Sequence, residues 1–219
     1  MWRYPHWWAI ALCAGAWGWV AARWWGSRHA HGYGALDWTL MVVAMMLPLV
    51  FVHLRVAAAR SLWSRRHRAI AMFLCGYVAI AVVAGLALFS LAGATGLLVH
   101  GAAPPTTVAG AFALAAAWQL LPVKRRALTA CHRTMPLAPR GWRANRDCLR
   151  YGWTIGGSCL VSCGGLMLAC VLAGHSLPVM CFATAVAAAE RVTARADAWI
   201  TSAALALGAA AQFAAGDLV

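Results

Sequence analysis

A run of apolar residues from Ser158 to Cys170, SCLVSCGGLMLAC, carries three cysteines and a methionine. On a helix, at about 100° per residue, Cys159, Cys163 and Cys170 fall within about 40° of one another. Met167 lies at the edge of that stripe. Thiolate and thioether sulfurs are soft ligands that suit Cu(I) better than hard cations. The spacing therefore indicates a candidate copper site on one helix face.

An earlier apolar run, WTLMVVAMMLP, places Met41 and Met45 on one face of a second helix. If the two segments pack with opposite directions, Met45 meets Cys163 and Met41 meets Cys170 at matching depth. The bound metal is then predicted to be copper, as Cu(I). The predicted metal ligands are Cys159, Cys163, Cys170, Met41, Met45 and Met167.

Close helix packing is the alternative explanation for the same residues. Free cysteine is among the most buried residue types and packs as a small hydrophobe. Gly164 and Gly165 lie beside the stripe, and small residues are what helices in a membrane use for close contacts. The run by itself fits both a metal site and a helix interface.

Other chemistry has little support in the sequence. No nucleophile–base pair, carboxylate dyad or phosphate-binding loop is visible, so we expect no enzymatic activity. The sequence has no C-x-x-C-H motif, and His53, His100 and His175 lie at the ends of apolar runs, so we expect no haem. The acids Asp37 and Glu190 also lie near such ends, which disfavours a transporter with a buried charge relay.

Several polar residues lie where apolar runs end. Gln119 is placed to bond a neighbouring helix, Pro122 to stop its own helix, and Lys124 to reach the interface. Glu190 and Arg191 are adjacent in the sequence, and we interpret them as an interfacial ion pair.

The elements that must position these side chains are membrane helices. Of the 219 residues, 63% are hydrophobic and 11% are charged, and the mean hydropathy is +0.72. A soluble domain has about 25% charged residues, so this chain cannot cover a globule with polar surface. At about 20 apolar residues per crossing, the sequence predicts an all-α bundle of about seven transmembrane spans, in a single integral membrane domain of residues 1–219. The predicted spans are Trp7–Trp25, Leu36–Leu54, Ala69–Gly93, Thr106–Leu121, Tyr151–Ala173, Ser176–Ala189 and Ala198–Gly216.

Basic residues orient the predicted bundle. The net charge is +13, and all but two of the 18 Lys and Arg residues fall on one predicted side. By the positive-inside rule the N-terminus is cytoplasmic and the C-terminus lies outside, in a multi-pass protein of the bacterial inner (plasma) membrane. The basic side faces lipid headgroups, and no nucleic-acid partner is expected. The residues assigned to the cytoplasmic side are Arg3, Arg55, Arg60, Arg65, Arg66, Arg68, Lys124, Arg125, Arg126, Arg133, Arg140, Arg143, Arg146, Arg150, Arg191 and Arg195, and those opposite are Arg23 and Arg28.

Three motifs occur in a fixed order: W-x-x-M-x-x-A-M-M-x-P, then Q-x-x-P-x-K with a following Cys and Pro, then Y-G-x-x-x-x-x-C followed by C and L-M. Their residues are Trp38, Met41, Ala44, Met45, Met46 and Pro48; Gln119, Pro122, Lys124, Cys131 and Pro136; and Tyr151, Gly152, Cys159, Cys163, Leu166 and Met167, with Glu190 near an expected acid. This order resembles a bacterial family of predicted metal-binding integral membrane proteins, over about residues 37–191. The resemblance implies a metal ligand set and no defined reaction.

The chain departs from that family pattern at two positions. The family's fifth span tends to hold a C-x-x-C-C cluster, and here the middle cysteine is replaced by Ser162. The loop after the P-x-K motif tends to carry a cysteine where this chain has Ala127. The resemblance therefore implies a site with fewer thiols.

Two functions follow as expectations. The first is an inner-membrane protein that binds copper through Cys and Met side chains, in metal handling or in the maturation of a metalloenzyme. The alternative is a non-catalytic accessory or assembly subunit packed within a larger membrane protein complex, since 13 Trp residues and little extramembrane mass suit lateral contacts. The expected partners are membrane lipid and, for the alternative, that complex.

Overall fold

The computed structural model describes residues 5–26, 35–95, 104–192 and 198–216, and within these ranges the chain is all-helical. The all-α prediction is confirmed. The predicted sides of Arg3, Arg28 and Arg195 and the position of His100 lie outside the described residues. The helices of the described ranges are α1 (Trp7–Gly26), α2 (Ala35–Met46), α3 (Phe51–Ala59), α4 (Arg66–Thr95), α5 (Pro105–Leu120), α6 (Pro122–Ala130), α7 (Gly141–Leu172), α8 (Leu177–Val192) and α9 (Ala198–Gly216).

The two longest helices, α4 and α7, form a parallel pair at the centre of the bundle. Glycines on both helices allow this close approach, because a Cβ on Gly76 would collide with the Leu149 carbonyl and one on Gly152 with the Phe73 carbonyl. Small residues at helix contacts are the usual means of close packing in membranes.

The remaining helices surround this pair with directions that alternate along the chain. Trp38 of α2 donates to the Ala81 carbonyl of α4 at 2.8 Å, and Trp118 of α5 donates to the Val161 carbonyl of α7 at 3.0 Å. Both contacts belong to antiparallel pairs. Helix α9 packs against α5, where Ser202 donates to the Ala116 carbonyl at 3.1 Å. Each helix is thereby held to the bundle by side-chain contacts between sequence-distant residues.

Two proline positions bend the chain. Pro48 lies in a short 3-10 turn, and the helical segments on either side of it differ in direction by 46°. At Leu121–Pro122 the chain turns by 78° between α5 and α6. The predicted stop at Pro122 is thus a sharp turn, and it directs α6 onto α7.

Within the described residues, two helical segments are long and apolar enough to cross a membrane, Trp63–Leu88 and Gly141–Leu172. The number rises to four if each bent pair counts as one crossing.

The predicted loop between Pro122 and Arg150 is largely helical. Its first part is α6, and its last ten residues form the start of α7. The structure differs here because PVKRRALTA is a short and polar helix, which a search for long apolar runs does not detect.

Candidate metal site

The cluster is centred on Cys159, which is 2% exposed on the middle of α7. Three elements converge on its sulfur. The Tyr77 hydroxyl of α4 donates to it at 3.1 Å, and the Arg191 Nη2 at the end of α8 donates to it at 3.0 Å. From the end of α2, the Met46 Sδ lies 3.7 Å away and accepts from the thiol.

Two further cysteines extend the cluster. Cys131 and Cys163 are both close enough to Cys159 to interact with it electrostatically. Ser162 lies between them, with its hydroxyl 3.5 Å from the Cys163 sulfur and 3.9 Å from the Cys131 sulfur. Cys131, Cys159, Cys163 and Met46 are hereafter called the sulfur cluster.

Cys131 reaches this cluster because of the turn at Leu121–Pro122. The turn directs α6 across the end of the bundle, and Cys131 caps α6 through a backbone bond to the Ala127 carbonyl. His53 then fixes the position of Cys131, since it hydrogen-bonds to the Cys131 backbone and its Nδ1 lies 2.6 Å from the Tyr151 hydroxyl. Cys131 is fully buried as a result.

The chemistry of the sulfur cluster suits a soft monovalent metal. With metal–sulfur bonds of about 2.3 Å, two sulfurs of a tetrahedral site lie about 3.8 Å apart. The distance of 3.7 Å between the Met46 and Cys159 sulfurs fits a single ion shared by both. In the described part of the chain, no group of three or more His, Cys, Asp or Glu side chains already has the arrangement of a metal site. The contact with Cys159 makes the Met46 thioether a candidate ligand in this cluster.

Cys131 is the thiol whose ionisation is favoured. The neighbouring Cys159 thiol lowers the pKa of Cys131, and the charge of Arg191 acts in the same direction, whereas burial of Cys131 opposes them. Because the thiolate is the form that binds metal, a lowered pKa reduces competition from protons.

A buried ion pair lies beside the cluster on α8. Lys124 Nζ is 2.9 Å from each carboxylate oxygen of Glu190, and it donates a hydrogen bond to Oε1. The Gln119 amide donates to the same oxygen at 2.5 Å. All three side chains are buried, so this contact ties α8 to the turn between α5 and α6.

The predicted pairing of Glu190 with Arg191 is wrong. Successive residues on a helix point about 100° apart, so the two side chains leave α8 in different directions. Glu190 pairs with Lys124, and Arg191 turns to Cys159 and to the Leu49 carbonyl, 3.1 Å from its Nη1.

The six predicted ligands divide into two sets. Cys159 and Cys163 lie in the sulfur cluster. Cys170 is buried on α7, but about 16 Å of helix axis separates it from Cys159, too far for one ion. Met41, Met45 and Met167 are buried in the same apolar core. The methionine in contact with Cys159 is Met46, one residue beyond Met45.

The pattern on the helix face missed Met46, Cys131, Tyr77 and Arg191. Met46 and Cys131 both belong to the motifs that carry the family resemblance, so the motifs point to these two residues where the helix face does not. No spacing rule connected Tyr77 or Arg191 to Cys159, because they come from separate helices.

The site is thus a buried cluster of thiols and a thioether in an all-helical fold. A family model described as PpoB2, a copper chaperone, matches residues 35–214, and the chain belongs to this family. The expectation of a metal-related family is confirmed, and the description of the family names copper. No curated protein and no solved structure matches the chain.

Proposed function

We propose that this protein is a membrane-embedded copper chaperone that holds Cu(I) in the sulfur cluster and hands it on as cargo. The observation that carries the proposal is the convergence of Met46, Cys131 and Cys159 on one buried point in a chain of a copper chaperone family. Sulfur ligands without carboxylates favour Cu(I) over hard cations.

Membrane integration is part of the same proposal: about seven spans in a bacterial inner membrane, with the N-terminus cytoplasmic. The alternating directions of the described helices support this arrangement. So do large apolar side chains that are exposed on different helices, among them Leu12, Val83, Leu114, Trp153 and Leu207. Lipid is the environment in which such side chains need no cover.

The side of the membrane follows from the charges. His6, just before α1, contacts Phe51 of α3, so the start of α1 lies at the end of the bundle where Arg55 and Arg60 are found. We place this end in the cytoplasm by the positive-inside rule. Cys131 and Arg191 lie at the same end, which assigns the sulfur cluster to the cytoplasmic half of the bundle.

Copper is bound and released in this proposal, and no catalytic step is assigned to the chain. Release from two thiolates and a thioether requires exchange with ligands of a receiving protein. The role is therefore in copper handling or in supplying copper to a metalloenzyme under maturation.

Elemental analysis tests the proposal. The protein is expressed with added copper, purified in mild detergent, and assayed for copper per chain. We expect near-stoichiometric copper in the unmodified protein and its loss in Cys159→Ser. Cys75→Ser is the matched control, because Cys75 is an exposed thiol on the neighbouring helix α4.

Two outcomes contradict the proposal. One is a metal-free protein from a copper-replete preparation. The other is equal loss of copper in Cys75→Ser and Cys159→Ser. Identification of co-purifying chains in the same sample tests the accessory-subunit alternative. That alternative predicts that the same partner chain co-purifies with the unmodified protein, Cys75→Ser and Cys159→Ser.

A further inference from the structure

Arg191 is the cation of the sulfur cluster. Its Nη2 donates to the Cys159 sulfur at 3.0 Å, and its Nη1 donates to the Leu49 carbonyl at 3.1 Å. Its charge also acts on Cys131 and Cys163. The guanidinium is thus fixed at two points and directed at the thiols.

No carboxylate balances this charge within the described ranges. The adjacent Glu190 is committed to Lys124, 2.9 Å away, and to Gln119. The other ion pair in those ranges joins Arg23 to Asp37, near the opposite end of α2. Arg191 is partly buried, and a charge withdrawn from water without a partner is costly, so we expect the thiols or what they bind to supply the anion that stabilises it.

Charge balance then distinguishes between metals. The ligand set proposed above has Cys131 and Cys159 as thiolates and Met46 as a neutral thioether, with Cys163 a neutral thiol outside it. With a monovalent ion this set forms a complex of charge −1, and Arg191 brings the total to zero. A divalent ion in the same ligands leaves an excess charge of +1 in a buried site. In a low-dielectric environment the difference in electrostatic free energy between the neutral site and the site of charge +1 is large.

We propose that Arg191 sets the specificity of the sulfur cluster for a monovalent soft cation over a divalent one. The proposal rests on the proposed function, since it concerns the same site. It assigns to Arg191 a role as a positioning and charge-balancing residue that binds no metal itself.

Affinity measurements on purified protein test the proposal. Cu(I), Ag(I) and Zn(II) are titrated against competing chelators into the unmodified protein, Arg191→Gln, Arg191→Lys and the control Arg126→Gln. Arg126 is an exposed arginine on α6. Ag(I) serves as a second monovalent ion that does not change oxidation state during the assay.

We expect Arg191→Gln to weaken Cu(I) and Ag(I) binding by about 10- to 100-fold, the usual effect of losing a partner outside the ligand shell. Zn(II) affinity should stay the same or rise. Arg191→Lys should recover most of the monovalent affinity, because it keeps the charge. Arg126→Gln should change none of the three.

A purely structural role for Arg191 predicts a different result. Loss of its bond to Leu49 would loosen the end of α8 and weaken all three ions equally, and lysine would not restore them. Equal losses, or unchanged Cu(I) binding in Arg191→Gln, overturn the inference.

If Arg191→Gln does not fold, the comparison of Arg191→Lys with the unmodified protein decides. Monovalent affinity within about tenfold of the unmodified protein supports the inference, and a drop beyond the 100-fold limit overturns it. An unmodified protein that binds neither Cu(I) nor Ag(I) refutes the proposed function itself. One that binds Zn(II) as tightly as Cu(I) refutes the specificity alone.

Discussion

Two positions on α7 carry the same kind of residue in different surroundings. At the middle of α7, in the half of the bundle that holds α6, Cys159 meets a thioether, a guanidinium and a tyrosine hydroxyl, each from a separate helix. In the other half of the bundle, Cys170 is equally buried in the same apolar core, but within the described residues no side-chain hydrogen bond reaches its sulfur. Buried sulfur therefore does not define a site in this bundle. Convergence of sulfur with charge does.

The ion pairs in the two halves of the bundle also differ in their surroundings. Lys124 and Glu190 are each 4% exposed, whereas Arg23 and Asp37 are 35% and 20% exposed. A buried pair is strongly coupled to the fold because removal of one partner leaves an unpaired charge. The half of the bundle that holds the sulfur cluster thus also holds the ion pair whose loss costs more stability.

The largest expected difference between the two halves is in copper affinity. Cys159→Ser should weaken Cu(I) binding by more than about 100-fold, since loss of a ligand exceeds the 10- to 100-fold effect of an outer partner. Cys170→Ser should change it by less than about threefold, because about 16 Å of helix separates Cys170 from Cys159. Competition with a Cu(I) chelator measures both. Equal losses of affinity in Cys159→Ser and Cys170→Ser would contradict the assignment of Cys159, and not Cys170, to the copper site.

The next largest effect is on stability. Glu190→Gln should lower the free energy of unfolding by about 3–5 kcal/mol, because it leaves the buried Lys124 charge without its partner. Asp37→Asn, at the more exposed pair, should cost no more than about 1 kcal/mol. Thermal unfolding of both variants in the same detergent gives the comparison. A larger loss of stability in Asp37→Asn than in Glu190→Gln would mean that the Arg23–Asp37 pair is the one more strongly coupled to the fold.

A smaller effect separates two adjacent methionines. Met46→Leu should reduce Cu(I) affinity by about tenfold, equal to about 1.4 kcal/mol, because it removes the thioether in contact with Cys159. Met45→Leu is the control and should leave affinity unchanged. Both substitutions conserve volume, so each should cost less than about 1.5 kcal/mol of stability. A larger loss of Cu(I) affinity in Met45→Leu than in Met46→Leu would favour Met45 as the ligand, as the helix face alone predicts.

The smallest expected effect is a gain. Ser162→Cys introduces a thiol between Cys131 and Cys163, where the family pattern tends to hold one. We expect Cu(I) affinity to rise by no more than about tenfold, or about 1.4 kcal/mol, because the sulfur cluster already contains four sulfurs. Gly164→Cys, one position beyond Cys163 on α7, controls for the mere addition of a thiol. An equal gain from both variants would mean that the position of the thiol is unimportant.

The sequence predicted the helices well because long apolar runs in this chain are bounded by charge and proline. It did not predict α6, whose nine residues are too polar for a hydropathy rule. It placed Cys159 and Cys163 on one buried face because regular helical periodicity holds along α7, and their role as ligands stays a prediction.

The rest of the sulfur cluster does not lie on the two helix faces that the sequence singled out. Met46 is the last residue of α2 and points about 100° away from Met45, so the face drawn through Met41 and Met45 excludes it. Cys131 reaches the cluster only through the 78° turn at Leu121–Pro122. Arg191 was assigned to Glu190 by proximity in the sequence, and its actual contact depends on how α8 packs.

X-ray absorption at the copper edge of the copper-loaded protein tests most directly whether the sulfur cluster holds Cu(I). We expect Cu(I) coordinated by sulfur alone, in two or three bonds of about 2.3 Å. The spectrum should change in Cys159→Ser and remain unchanged in Cys170→Ser. A shell dominated by nitrogen or oxygen, or a spectrum that responds to Cys170→Ser and not to Cys159→Ser, would contradict this expectation.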